Sequence, residues 1–318
     1  MARLERLALQ NREPAVRKRV LRDRIHPLDV YDDFDIYCRY RFRHDQIMWI
    51  TDMLAPAIEH GSESNGALPP SLQVTIALRY FATGSMQNVV GDTIQAHKST
   101  VCRAVRRVAL ALCGHLNNYV QLPSGARQDV VRQKYHNIAG FPDVVGCVDG
   151  THFKIKAPSN HENAYVNRKG FHSLNAQLVC DPDLILTNCV IKWPSCKHDS
   201  FILRQSSIYT DFEEGRATGM LLGDSGYPLK RWLMTPYINA DTLPKRRYNE
   251  AHSKTRNVIE RCIGVLKQRW ACLHKGITMD PDRAAVVAGA CCVLHNMAML
   301  WKVPYDVDPK QPEEEEEP

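Results

Sequence analysis

Four acids stand where a carboxylate needs a reason to be. Asp149 lies within Val144-Val145-Gly146-Cys147-Val148-Asp149-Gly150-Thr151-His152-Phe153-Lys154-Ile155, a largely apolar, β-branched run that predicts a buried strand. A carboxylate there is costly to desolvate unless something pairs with it or coordinates it. Asp224 ends the short apolar run Met220-Leu221-Leu222-Gly223 and precedes a Ser225-Gly226-Tyr227-Pro228 turn. In open α/β sheets, sites gather at such strand ends. Glu260 falls on a helix expected over 253–273, with an apolar stripe of Val258, Ile259, Cys262, Leu266 and Trp270. Asn257, Glu260, Gly264 and Lys267 share the adjoining face, where Gly264 would let a backbone, metal or substrate come close. Asp199, in His198-Asp199-Ser200, starts another helix and reads both as an N-cap and as a fourth ligand.

Taken singly, each acid reads as a cap, a turn former or an ion-pair partner. Together they suit hard divalent cations, which need several anionic oxygen donors; a pair of such ions ~4 Å apart serves phosphate chemistry. Thiol and imidazole ligands would be too soft for magnesium. Ser225 sits in a tight turn, but no G-x-S-x-G elbow marks it as a nucleophile. Cys291 and His295 are spaced to share a metal, yet the run around them reads as a core helix. The cysteines number 11, with no C-x-x-C pair, and Cys147, Cys180, Cys189, Cys291 and Cys292 lie in apolar runs as small hydrophobes.

The elements that must position these acids follow from the rest of the chain. Its 318 residues allow two domains, or one catalytic domain with a helical addition. No run approaches ~18 uncharged apolar residues, so no spanning helix and no membrane partner are expected. The N-terminus lacks a signal-peptide core, which predicts an intracellular protein. Net charge is +6; setting aside the acidic run Glu313–Glu317 leaves about +11, a surplus that fits an anionic partner such as nucleic acid.

Residues 1–35 read as a basic arm, with Arg12, Arg17, Lys18, Arg19, Arg22 and Arg24 as phosphate contacts, an import patch or a solvated helix face. Residues 36–122 read as a helical domain. A helix is expected over 43–59, then one capped by Ser71 and stopped by Gly84, a short one over 85–93, and another from Ser99. That last helix buries Val101, Val105, Val108 and Leu112 and shows Thr100, Arg103, Arg106 and Arg107 without interleaved acids. Short helix, tight turn and basic helix together predict a DNA-contacting helix-turn-helix. A helix over 128–138 and Gly140-Phe141-Pro142 lead into the back part, 123–302. There strands over 144–156, 171–180 and 185–193 precede a helix through Ile202–Phe212, the strand ending at Asp224, and helices over 253–273 and 281–301. This α/β order, a mixed sheet flanked by helices, is ribonuclease H-like. Residues 303–318 read as an acidic disordered tail.

The motifs Gly140-Phe141-Pro142, Val148-Asp149-Gly150-Thr151-His152, Tyr165-Val166-Asn167-Arg168-Lys169-Gly170 and His172-Ser173-Leu174-Asn175 come first in order. Trp193-Pro194, His198-Asp199-Ser200, Gly223–Leu229, Arg256–Arg261 and Cys292-Val293-Leu294-His295-Asn296 follow. Together they resemble the PIF/Harbinger transposases over residues 140–297. The resemblance implies a DDE endonuclease with Asp149, Asp224 and Glu260 as its catalytic triad and Asp199 as a further acid. One departure is Ser195-Cys196-Lys197, where the family often has a glycine after Trp-Pro. It also implies Mg2+ or Mn2+ as cofactor, and two-metal in-line hydrolysis of DNA phosphodiesters with strand transfer by the released 3′-OH. A domesticated DNA-binding adaptor that no longer transposes is the competing reading. Expected partners are double-stranded DNA, as element ends and target, a Myb/SANT-like protein, and further copies of the chain; the expected location is the nucleus, with the cytoplasm second. Candidate phosphate contacts are Asn167, Arg168, Lys169, Lys245, Arg246 and Arg247, each otherwise a solvated surface residue. His152 and His198 neighbour two of the acids and read as tuning groups or as caps.

Overall fold

The computed structural model describes residues 26–59 and 67–305. The arginines of the basic arm, the Gly61–Gly66 breaker and the glutamate tail lie outside the described residues.

The front of the chain is helical: α1 (Pro27–Val30), α2 (Asp33–Tyr40), α3 (His44–Ile58), α4 (Pro70–Thr83), α5 (Gln87–Asp92), α6 (Lys98–Gly114), α7 (Leu116–Tyr119) and α8 (Ala126–Ala139). Ser71 does not cap α4; Pro69 is its N-cap and Pro70 its first residue, where a missing N–H costs nothing. Gly84 ends it in the left-handed region at φ 61°, as expected. Between α5 and α6 the chain turns so tightly that a Cβ on Gly91 would lie 2.2 Å from the Ala96 carbonyl oxygen. The apolar stripe of α6, Val101, Val105, Val108 and Leu112, is fully buried.

The back part carries β1 (Val144–Lys154), β2 (Ser173–Cys180), β3 (Leu186–Pro194), α9 (Asp199–Arg204), α10 (Ser207–Glu213), β4 (Met220–Leu222), β5 (Leu233–Met234), α11 (Leu243–Arg269), α12 (Cys272–Lys275) and α13 (Pro281–Leu300). The five strands form one mixed sheet in the order β3-β2-β1-β4-β5. β1, β2 and β3 are antiparallel neighbours, whereas β4 runs parallel to β1 and β5 parallel to β4. This mixed α/β sheet has the order that the ribonuclease H-like expectation requires. At the β2–β3 turn, Asp181 Oδ1 accepts from the Asp183 and Ile185 amides.

Three details depart from the sequence reading. The helix expected through Ile202–Phe212 is two, because Ser206 interrupts it and its hydroxyl caps α10 at the Tyr209 amide. β5 has two residues, too few to leave a period-two signal. α11 begins at Leu243, ten residues before the expected start at 253, with Pro244 in its first turn, so Lys245, Arg246 and Arg247 are helical.

Side chains alternate across β1. Cys147 and Phe153 join the large core shared with α3, α4, α6, α11 and α13, which runs unbroken from the helical front part. An irregularity in the β1–β4 register between Val144 and Gly146 breaks the alternation, so Val145 joins Val148 in facing the smaller cluster made with Leu203, Ile208, Phe212, Tyr227 and Trp232. α13 is long and apolar enough to cross a membrane, contrary to expectation, but most of it is buried in this core. Its His295 is fully buried, with Nε2 2.8 Å from the Leu184 carbonyl, so the core reading of Cys291 and His295 holds.

Candidate active site

The sheet register brings two of the acids level. Cys147 pairs with Leu222, so Asp149 and Asp224 each lie two residues further along adjacent parallel strands. By alternation Asp149 faces α11 and Gly150 faces α9. The missing Gly150 side chain is what admits Asp199: a Cβ there would lie 2.4 Å from Asp199 Oδ1. Asp199 is the first residue of α9, and the N-cap is His198 with no side-chain cap bond, so the cap reading of Asp199 is not what the structure has. Its Oδ1 instead accepts from Asn175 Nδ2 at 3.1 Å, and the same amide nitrogen donates to the Lys197 carbonyl at 2.9 Å. Asp224 turns back to accept from the Gly226 amide at 3.0 Å.

Glu260 is half-exposed on α11 and reaches the other acids through an arginine. Arg256, one helical turn earlier, donates to Asp149 Oδ2 at 3.1 Å and also bonds Glu260 Oε1. Gly264 faces open space; none of the described residues stands within 4 Å of where its Cβ would be. Three acids share one electrostatic neighbourhood. Burial pushes the Asp149 carboxyl up to about 6, with Asp224 and Asp199 adding to the rise and Arg256 and the Gly150 amide opposing it. Tyr227, buried between them, is pushed well above its ordinary range by burial and by all three carboxylates.

Among the described residues no three Asp, Glu, His or Cys side chains are grouped closely enough to hold an ion as they stand. The donor chemistry nonetheless fits a hard divalent cation. The donors are carboxylates on one strand, just past the end of another and on two helices, their charge is only partly balanced by Arg256, and burial drives Asp149 toward protonation. Orphaned polar atoms point the same way. Tyr227 Oη is buried without a partner among the described residues, as are both amide atoms of Gln177, which pairs across the sheet with Gly150.

Beside the acids opens a cleft of about 960 Å³, bordered by Asp199, Arg168, Lys169, Lys197 and Lys267 among others. Arg168 and Lys169 are exposed on its rim. Asn167 is committed to its own loop: Oδ1 accepts from the Lys169 and Phe171 amides and Nδ2 donates to Ser173 Oγ. His152 Nδ1 lies 3.1 Å from Ser173 Oγ, and burial pushes its imidazole down, with Asp199 opposing. Lys267 donates to the His152 carbonyl at 3.0 Å, and burial, followed by the charge of Lys169, pushes its ammonium down.

The other basic candidates lie apart from the acids. On α6, Arg103 and Arg106 are exposed and Thr100 is half-buried, while Arg107 turns inward to donate to Gln73 Oε1 at 3.0 Å. Lys245 pairs with Asp241, Arg246 donates to the Ala240 and Asp241 carbonyls, and Arg247 is exposed. Sequence reasoning assigned no role to Arg256, Asn175, Gln177 or Lys267. Arg256 could have been found, since it stands four residues before Glu260 on the helix face where Lys267 was already placed.

The family is established by comparison. Residues 148–296 match the family model described as DDE superfamily endonuclease, a span that holds all four acids. The chain belongs to the DDE superfamily endonucleases, in their Harbinger transposase-derived branch. It is 35% identical over 304 residues to "Putative nuclease HARBI1" of Bos taurus, an alignment covering 92% of this chain and 87% of the relative. The protein of the same name in Homo sapiens is 35% identical over the same shares of the two chains. "Protein ALP1-like" of Arabidopsis thaliana is 30% identical over 258 residues, 74% of this chain and 62% of that protein. Nothing matches among the solved structures.

Proposed function

We propose that the protein is a divalent-metal-dependent endonuclease that hydrolyses DNA phosphodiester bonds at the Asp149, Asp224 and Glu260 site. The observation that carries this reading is the Asp149 carboxyl: it is pushed to about 6 by burial and two neighbouring acids, beside a basic cleft. Such crowding is unfavourable in the folded chain alone and has a purpose if a dication neutralises it. Asp149, Asp224 and Glu260 would hold magnesium or manganese, with Asp199 as a fourth donor. Bound there, the ion supplies charge neutralisation at the phosphate and acidifies water.

The chain's own groups do the rest. Asn175 holds the Asp199 carboxylate in place, and Gly150 keeps the space it needs. Arg256 balances Asp149 and Glu260, and its guanidinium would be free for the substrate if those carboxylates held a metal. Arg168, Lys169 and Lys267 line the cleft as phosphate contacts that hold the strand without reading its sequence. Arg103 and Arg106 on α6 supply a second DNA contact, supported by the obligatory glycine turn between α5 and α6. Strand transfer, a Myb/SANT-like partner, self-association and a nuclear location belong to the same proposal.

The adaptor reading, in which the fold binds DNA without cutting, draws on Arg256, which ties Asp149 to Glu260. Nicking of supercoiled plasmid in Mg2+, Mn2+ or Ca2+ separates the two. Asp149→Ala and Glu260→Ala should abolish nicking and leave DNA affinity intact. Equal cleavage by both variants would refute the metal mechanism; no cleavage by the unaltered protein in any metal would favour the adaptor.

A further inference from the structure

The loop after β5 displays an apolar side chain that the metal chemistry does not use. Ile238 is 89% exposed, the most exposed of the large hydrophobic residues described. A mobile loop would make that ordinary, but this loop is strapped down. Asn249 on α11 accepts from the Tyr237 amide and donates to the Tyr237 carbonyl, both at 2.9 Å. Tyr248 Oη donates to the Thr235 carbonyl at 3.0 Å, and its ring stands edge-on to Tyr237, 5.1 Å between centroids. Lys245 covers the other side of Tyr237 and anchors Asp241, and Arg246 donates to the Ala240 carbonyl. Four residues of α11's first two turns thus fix the backbone on both sides of a β-branched tip that touches water.

The loop also has a definite place relative to the acids. Leu222 pairs with Met234 at the ends of β4 and β5, so Asp224 and Pro236 each follow two residues after their strand, and Ile238 two residues further. Continuing strand geometry past those ends, two spacings of ~4.8 Å and two residues of rise, gives a separation on the order of 12 Å between Ile238 and Asp149. That is roughly three to four base steps of ~3.4 Å along a duplex. Arg246, which donates to the Ala240 and Asp241 carbonyls, and its exposed neighbour Arg247 bring positive charge to the loop; the acids beside them are Asp241, already paired with Lys245, and Glu250. A rigid aliphatic wedge within a positive rim selects duplex DNA, whose phosphates take the rim and whose stacked bases accept the wedge.

We propose that Ile238 inserts between base pairs a few steps from the scissile phosphate, opening the stack and bending the duplex toward the acidic site. The proposal rests on DNA being what this site engages; it does not require that the DNA be cut. The test uses the full chain and a duplex of about 40 base pairs carrying 2-aminopurine in place of central adenines, in EDTA and in Ca2+. Binding of the unaltered protein should raise 2-aminopurine emission at least twofold. Ile238→Ser should lose most of that rise while keeping DNA affinity within a few-fold, and Ile238→Phe should restore it. Asp149→Ala should unstack normally. Plasmid nicking in Mg2+ and Mn2+, run in parallel, separates the two readings: unstacking without nicking leaves the wedge standing and the nuclease fallen. Nicking with emission unmoved by Ile238→Ser overturns the wedge alone. Failure of the unaltered protein to bind the duplex overturns both. Light scattering that shows Ile238→Ser dissociating an oligomer, with unstacking unchanged, would assign the tip to a second copy of the chain and likewise overturn the wedge.

Discussion

Replacing Asp149 with asparagine should make the metal-free protein more stable while destroying its site. The Asp149 carboxyl has its folded pKa near 6 against an ordinary 3.8. It therefore holds its proton more tightly in the folded chain than in the unfolded one. The stability it lends is complete below pH ~3.8 and is lost as pH rises through about 6, so above that the charged group weighs against folding. A shift of about two units corresponds to ~3 kcal/mol. The side chain is only 19% exposed, so solvent screens little of this. Asparagine gives up the Arg256 ion pair, although Glu260 still holds that guanidinium, leaving a net gain of ~1–3 kcal/mol. For a chain of this size each kcal/mol is worth ~1–2 °C in Tm. Thermal unfolding in EDTA at pH ~8 should thus place Asp149→Asn a few degrees above the unaltered protein, with the gap closing near pH ~4. Adding Mg2+ or Mn2+ should raise the unaltered protein, by ~2.7 kcal/mol at a hundredfold excess over Kd, and leave the variant unmoved. A variant less stable than the parent at the higher pH, or one that metal stabilises equally, would refute the reasoning.

Four further outcomes follow. Arg256→Gln should destabilise the metal-free chain by ~1–3 kcal/mol, because two carboxylates lose their cation, and saturating Mg2+ should recover most of the loss in the same melts. An equal deficit with and without metal would show that the arginine serves packing alone. Gly150→Ala, whose Cβ would strike the Asp199 carboxylate, should weaken metal affinity more than tenfold, read by metal-dependent melting, with a change in metal-free stability under ~2 kcal/mol. Arg103→Ala with Arg106→Ala should lower DNA affinity at every sequence. Anisotropy titrations should show the slope of log affinity against log salt falling by ~1 for each arginine that neutralises a phosphate. Gly91→Ala should cost ~2 kcal/mol or more in chemical denaturation, because the added methyl meets the fixed Ala96 carbonyl rather than a movable side chain.

Much of the site was legible because its signals are local. An acid in an apolar strand, an acid at a strand end and an acid beside a helical stripe each leave a mark within a dozen residues. The strands that hold Asp149 and Asp224, and the stripe of α11, were found for the same reason. β5 left no mark because two residues have no period; pairing with β4 makes it a strand. The start of α11 was missed because its first ten residues contribute no continuous apolar stripe. Asp199 read equally as cap or ligand, since a carboxylate at a helix start satisfies both patterns.

The sequence by itself singled out the four candidate acids, and determined that the chain folds as helices followed by a mixed sheet and that it belongs among the DDE endonucleases. Only the tertiary structure decided how those acids meet. The register that levels Asp149 with Asp224 is set by cross-strand pairing, which no local pattern carries. Arg256 bridging Asp149 and Glu260, Gly150 opening the strand to Asp199, and Asn175 holding that carboxylate all join residues far apart in the chain. So does the strapping of Ile238 into solvent by the first turns of α11. Charge and packing between distant segments act through space, and the chain's order records only which residues are available to take part.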